Sequence, residues 1–106
     1  MTVDALPAGA LLLDCREDEE WEAGHIEGAV HVPMSEIPAR LHYGPGEIQP
    51  ERKIVVVCAV GSRSAHVAAW LNTNGFDAVN LDGGMVAWAA SGRPMIADDG
   101  TPPRVA

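Results

Sequence analysis

The sequence predicts an α/β domain: a central, mainly parallel sheet with helices on both faces. Three observations carry that expectation. Short continuous apolar runs, Leu11-Leu12-Leu13 and Ile54-Val55-Val56-Val57, have the character of strands buried on both sides. Between them lie segments with helical patterning, so strands and helices alternate as parallel βαβ units require. The length, 106 residues of which 47% are hydrophobic, suits one core and is too short for two. Residues 1–96 are therefore read as a single domain. Residues 97–106, rich in Asp, Pro and Gly, are read as a flexible C-terminal tail.

Each element has its own signal. Leu11 to Leu13 reads as the first buried strand. Asp18 to Ala23 reads as a short helix, with acids crowding its first turn where the helix dipole favours them and Gly24 placed to close it. Ala29 to Val32 forms a second short strand, and Ser35 is placed to cap a helix from Glu36 to about His42. Tyr43-Gly44-Pro45-Gly46 is a turn or loop. Ile54 to Val57 is the central strand. A helix follows from about Ser64 to Asn74, with Gly75 as a left-handed terminator and Phe76 packing back on Leu71. Ala78 to Leu81 makes another strand, and Met85 to Ala90 a last helix ending at Gly92.

Composition excludes several function classes. A formal charge of −8 leaves no basic stripe to neutralise phosphates, so no nucleic-acid partner is expected. No apolar run approaches the roughly 18–20 residues that span a membrane, and Met1 to Ala10 has no basic or apolar leader pattern. Two cysteines are too few for a disulfide scaffold, which points to a reducing cytoplasm. With so acidic a balance, affinity for an anion must be local.

Chemistry concentrates after the central strand. Cys58 ends that strand and opens Cys58-Ala59-Val60-Gly61-Ser62-Arg63-Ser64, where a helix begins. A thiolate is the nucleophilic form of cysteine, and both a helix N-terminus and a nearby Arg lower a thiol's pKa. Arg63 lies five positions after Cys58, a C-x4-R pattern. Phosphatases and arsenate reductases of the cysteine type use a C-x5-R loop, whose longer ring fits a tetrahedral oxyanion. The shorter loop makes a smaller cup, better suited to one terminal sulfur.

These residues resemble the rhodanese (sulfurtransferase) family, whose loop reads roughly C-x-x-G-x-R/T/S before a helix. The resemblance extends along the chain. Leu12-Leu13-Asp14-Cys15-Arg16-Glu17 is similar to the family's first strand and D-x-R-E ending. Gly24-His25-Ile26-Glu27-Gly28-Ala29-Val30-His31-Val32-Pro33 resembles its G-H-I-x-G-A-x-x-x-P signature. Leu81-Asp82-Gly83-Gly84, Ala87-Trp88 and Gly92-Arg93-Pro94 resemble its C-terminal signature. The resemblance implies a single rhodanese-like domain with a central, mainly parallel sheet of about five strands. It implies that Cys58 takes a sulfane sulfur as a persulfide, from thiosulfate or another persulfide donor, and passes it to cyanide or a thiol. That is two-step covalent catalysis, with no metal or organic cofactor and with room for a sulfur-relay protein as partner. A non-catalytic interaction module on the same fold, or less closely a phosphatase or arsenate reductase, are the other readings.

The candidate residues carry distinct expectations. Backbone amides from Ala59 to Ser64 form a nest for the anionic sulfur, and Gly61 supplies a conformation costly for other residues. Arg63 either orients an anionic donor and depresses the Cys58 pKa or forms a structural ion pair. Ser62 and Ser64 either donate to the sulfur or cap the helix, the capping role being assigned to Ser64. Many family members have a basic residue directly after the cysteine; Ala59 stands there instead, which disfavours thiosulfate against an organic or protein persulfide. Asp14 and Arg16, two apart at a strand end, share a face at the site's rim and are read as a structural ion pair. Cys15 points the other way, into the core, a resolving role being the sharper alternative. His25 and His31 tie loops to the sheet and lack zinc-like spacing; His66 lies near the cup. Trp21, Trp70 and Trp88 are packing residues. Gly83-Gly84 is a turn, since G-x-G-x-x-G is absent.

Overall fold

The central strand sets the plan. The computed structural model describes residues 1–43 and 48–106, so the expected turn at Gly44-Pro45-Gly46 lies outside the described residues. Strands β1 (Leu11–Asp14), β2 (Val30–His31), β3 (Lys53–Val57) and β4 (Asp77–Asn80) form one sheet in the order β2-β1-β3-β4. Every pairing is parallel; Asp14 sits opposite Val57, and Ile54 opposite Ala78.

Side chains alternate along a strand, and both sides of β3 are buried. Ile54 and Val56 face a cluster with Leu11, Leu13, Val67, Ala68 and Leu71, while Val55 and Val57 face Ile26, Leu81, Met85 and Trp88. Helices α2 (Ile37–Tyr43) and α3 (Ser62–Thr73) supply Ile37, Val67, Ala68 and Leu71 to the first face; α4 (Gly84–Ala90) supplies Met85 and Trp88 to the second. Each of the larger of these side chains contributes about 1.5–3 kcal/mol by leaving water.

Some elements differ from expectation. The sheet has four strands, not five. Among the described residues the one further pairing is an isolated antiparallel bridge, His25 to Ile96. It does not propagate, because the chain turns at once through an Ala29 N–H to Ile26 carbonyl bond. Helix α1 (Asp18–Ala23) has the expected bounds, but Gly24 is extended (φ 175°), not left-handed. Glycine is needed there because a Cβ would run into the Arg104 backbone. Ser35 does not cap α2. It lies inside a 3-10 turn, Met34–Glu36, that leads into α2, and Glu36 donates to the Pro33 carbonyl at 2.8 Å. Helix α3 starts two residues earlier than expected. Its end is a Schellman closure: Phe76 donates to the Leu71 carbonyl (3.1 Å) and Gly75 to that of Asn72 (3.3 Å).

Residues 97–106 run along α1. Asp98 N–H donates to the Glu22 carbonyl and Arg104 N–H to that of Ala23. No helix among the described residues is long and apolar enough to cross a membrane.

Candidate active site

Cys58 stands one residue beyond β3, where the sheet ends and the chain turns into α3. The residue before that helix is Gly61, with φ 102°, a left-handed conformation that a side chain makes costly. Its turn brings the loop back over the sulfur. Gly61 N–H donates to Cys58 Sγ at 3.0 Å, and the Ser64 hydroxyl donates to it at 3.2 Å. Cys58 is 0% exposed. Burial alone pushes its thiol up, but hydrogen bonds from the Ser64 hydroxyl and from the Ser64, Gly61 and Val60 amides outweigh burial and hold it below its ordinary value. The sulfur is thus set up to be an anion at lower pH than an ordinary thiol.

The loop residues divide by role. Ser64 is not the helix cap; it lies in the first turn of α3, buried, its one hydroxyl proton shared between Cys58 Sγ and the Asn80 side-chain oxygen. Ser62 opens the helix. Ala59 accepts the Val86 N–H at 3.0 Å, and Cys58's own carbonyl accepts the Met85 N–H at 2.8 Å, so α4 braces the loop from outside. Val60 is 61% exposed and Val86 51% exposed, which leaves an apolar surface beside the loop.

Arg63 makes an ion pair. Its guanidinium grips Glu20 of α1 through two bonds, 2.7 and 2.8 Å. That bidentate pair holds the Glu20 carboxyl down to about 2, chiefly through the Arg63 hydrogen bonds and against a smaller desolvation cost. The donors that lower the Cys58 pKa most are loop groups, not Arg63.

The neighbouring strand end is built differently. Arg16 and Asp14 are both fully buried and paired, Nη2 to Oδ2 at 2.8 Å and Nε to Oδ1 at 2.9 Å, and Arg16 Nη2 also donates to the Gly24 carbonyl at 2.8 Å. The pair ties the end of β1 to the end of α1, as a structural role requires. Cys15, between them in sequence, is 0% exposed and packs in the same cluster as Cys58. Burial first, and then the charge of Cys58, push its thiol up to about 12.

His25 Nδ1 donates to the Trp21 carbonyl at 2.7 Å, and His31 Nε2 to that of Arg16 at 2.8 Å. Their rings stack near-parallel on Trp21, with centroids 3.6 and 4.7 Å away. His66 and Trp70 line an apolar groove of about 260 Å³ with Met34, Ile37, Pro38 and Val67, and Trp70 is 38% exposed there. Trp88 is buried, donating to the Pro94 carbonyl at 3.0 Å.

Sequence reasoning missed Glu20 and Asn80. Glu20 was legible only as one acid among several in the first turn of α1. Asn80 left a fainter signal, an amide at the end of an apolar strand.

A parallel sheet whose central strand ends in a cysteine, cradled by loop donors ahead of a helix, defines a cysteine-loop α/β domain. The rhodanese-like domain family model matches residues 3–91, and the chain belongs to that family. It is 40% identical over 91 residues to a sulfurtransferase of Allochromatium vinosum, covering 85% of this chain and 81% of that protein. The crystal structure of a rhodanese-related protein from Thermoplasma volcanium superposes with a TM-score of 0.77 at 29% identity, covering 85% of this chain and 86% of that one. A tRNA uridine(34) hydroxylase of Escherichia coli (strain 536) is 34% identical over 98 residues, 90% of this chain but only 27% of that enzyme.

Proposed function

We propose that this chain is a sulfurtransferase in which Cys58 is the catalytic nucleophile. The Cys58 thiolate attacks the outer sulfur of thiosulfate; the S–S bond breaks, sulfite leaves with the electron pair, and Cys58 holds a persulfide. With an organic or protein persulfide the same attack releases the donor's thiolate. A thiol or cyanide then takes the outer sulfur and returns the Cys58 thiolate, with no cofactor consumed. The carrying observation is the cradle on Sγ: a Gly61 amide and a Ser64 hydroxyl aimed at the atom that is anionic both before and after loading. The Ala59, Val60 and Ser62 backbone and the Arg63 position complete the binding loop, while Asp14 and Arg16 hold the rim in place. The sulfurtransferase of Allochromatium vinosum, matched over most of its length, supports the same reading. We place the protein in the cytoplasm, where thiols stay reduced, with a sulfur-relay protein as a fitting donor or acceptor. A phosphatase role is disfavoured because Arg63, the residue that would ring an oxyanion, is bound to Glu20.

The complete burial of Cys58 favours one competing reading, an interaction module that performs no transfer. Intact-protein mass before and after thiosulfate, and after a low-molecular-weight persulfide, separates the two. Gain of one sulfur by the wild type, reversed by cyanide and absent in Cys58→Ser, is the expected result. No gain from either donor would establish the module instead.

A further inference from the structure

We propose that Glu20 is a specificity-determining residue: by occupying Arg63 it makes the cup discriminate against small dianionic donors and in favour of persulfides on an uncharged body. This rests on the sulfur-transfer reading above and names the donor class that the reading leaves open.

Several independent observations converge on Glu20. Arg63 is the single cationic residue in the loop from Cys58 to Ser64, since Ala59 follows the cysteine directly. It lies near enough to Cys58 for the sulfur's charge to bear on it. Yet both of its outer nitrogens are committed to the two Glu20 oxygens, at 2.7 and 2.8 Å. A guanidinium paired in this fork keeps Nε–H and one N–H on each outer nitrogen, but its charge is already balanced by the carboxylate, so a second anion gains less from it. The other acids of α1 face elsewhere: Glu19 and Glu22 line a cavity with Asp98, Asp99 and Arg104, and Asp18 lies 3.9 Å from His31. The exposed surface beside the loop is apolar, formed by Val60 and Val86. A thiosulfate dianion approaching this mouth meets an Arg63 charge already balanced by Glu20. A persulfide whose body is uncharged does not depend on that charge and can lie on the two valines.

Glu20 is held for this task from its own helix. Its Oε1 also accepts the Glu17 backbone N–H at 3.0 Å, closing a capping box, so the carboxylate is fixed before any donor arrives. Glutamine retains an acceptor for that bond and removes the charge, which makes Glu20→Gln the informative change.

The test compares sulfur loading of Cys58 by thiosulfate and by 2-hydroxyethyl persulfide, as kcat/KM for each, in wild type, Glu20→Gln, Arg63→Gln and the double variant. Glu20→Gln should raise the thiosulfate-to-persulfide ratio about tenfold, the effect of one freed charge-assisted contact. Arg63→Gln added to it should erase that gain, which a merely structural role for Glu20 would not do. In a Cys58→Ser background, which cannot be loaded, Glu20→Gln should also tighten thiosulfate binding by calorimetry. An unaltered ratio and unaltered binding, in variants that still load Cys58, overturn the proposal and leave sulfur transfer standing. Failure of the wild type to load from either donor overturns the transfer reading itself and the proposal with it. If Glu20→Gln does not fold, Glu20→Asp, one methylene too short to hold both nitrogens, should raise the ratio in the same direction by a smaller factor.

Discussion

Two adjacent strand ends each present a cysteine, and the chain surrounds the two sulfurs differently. The register that sets Asp14 opposite Val57 puts Cys15 beside Cys58 on the same face, and both are fully buried. Their thiols nonetheless move in opposite directions. At the end of β1 the chain closes on a buried Asp14–Arg16 pair, the Cys15 amide gives its sulfur only a minor hydrogen bond, and burial prevails. At the end of β3 the chain turns through a left-handed Gly61, and the loop donors reverse the effect of burial. Position in the sheet therefore does not set a thiol's acidity. The turn that follows it does.

The largest expected contrast is in sulfur loading. Cys58→Ser should lose it entirely, whereas Cys15→Ser should still gain one sulfur by intact mass. Loading that survives in the first and vanishes in the second would invert the comparison. Next is stability. Asp14→Ala leaves Arg16 buried without its partner and should cost about 3–5 kcal/mol in denaturant unfolding. Removing a donor from the Cys58 loop should cost far less stability and far more reactivity. Ser64→Ala, losing a hydrogen bond to a charged acceptor worth about 1.5–3 kcal/mol, should slow iodoacetamide alkylation of Cys58 at neutral pH about tenfold or more. The last contrast is alkaline. The unfolded Cys15 thiol ionises near 9.0 while the folded one holds its proton to about 12. Folding therefore loses stability as pH rises across that window. Cys58 shifts the other way: its contribution is full above the ordinary value and is lost as pH falls through the folded pKa. Thermal unfolding of Cys15→Ala should accordingly decline less from pH 9 to 12 than that of the wild type.

Much of the fold was legible because local signals and packing agree. The run Ile54–Val57 reads as a doubly buried strand, and the Gly75-Phe76 step reads as a helix end, since each depends on neighbours in sequence. The loop was legible for the same reason: Cys58, Gly61 and Ser64 lie within one turn of chain. What was not legible depends on distance. Arg63 and Glu20 are 43 positions apart, so no spacing rule announces their pairing. Ser64 looked like a cap because a hydroxyl near a helix start usually is one. The left-handed Gly61 took that place and freed the hydroxyl for the sulfur. The count of about five strands came from the resemblance, not from any located segment; the four strands read from the sequence are those of the sheet, with one isolated bridge, His25 to Ile96, besides them among the described residues.

β3 is hydrogen-bonded on both sides, by β1 and by β4, and four of its residues are wholly shielded from solvent. Its amide protons should therefore be among the last in the molecule to exchange with deuterium, since they open only when the whole sheet does. The backbone under Cys58 inherits that slow clock. Cys58 is as buried as the strand beneath it, so its alkylation would read how often the loop opens, while exchange in β3 reads how often the sheet does.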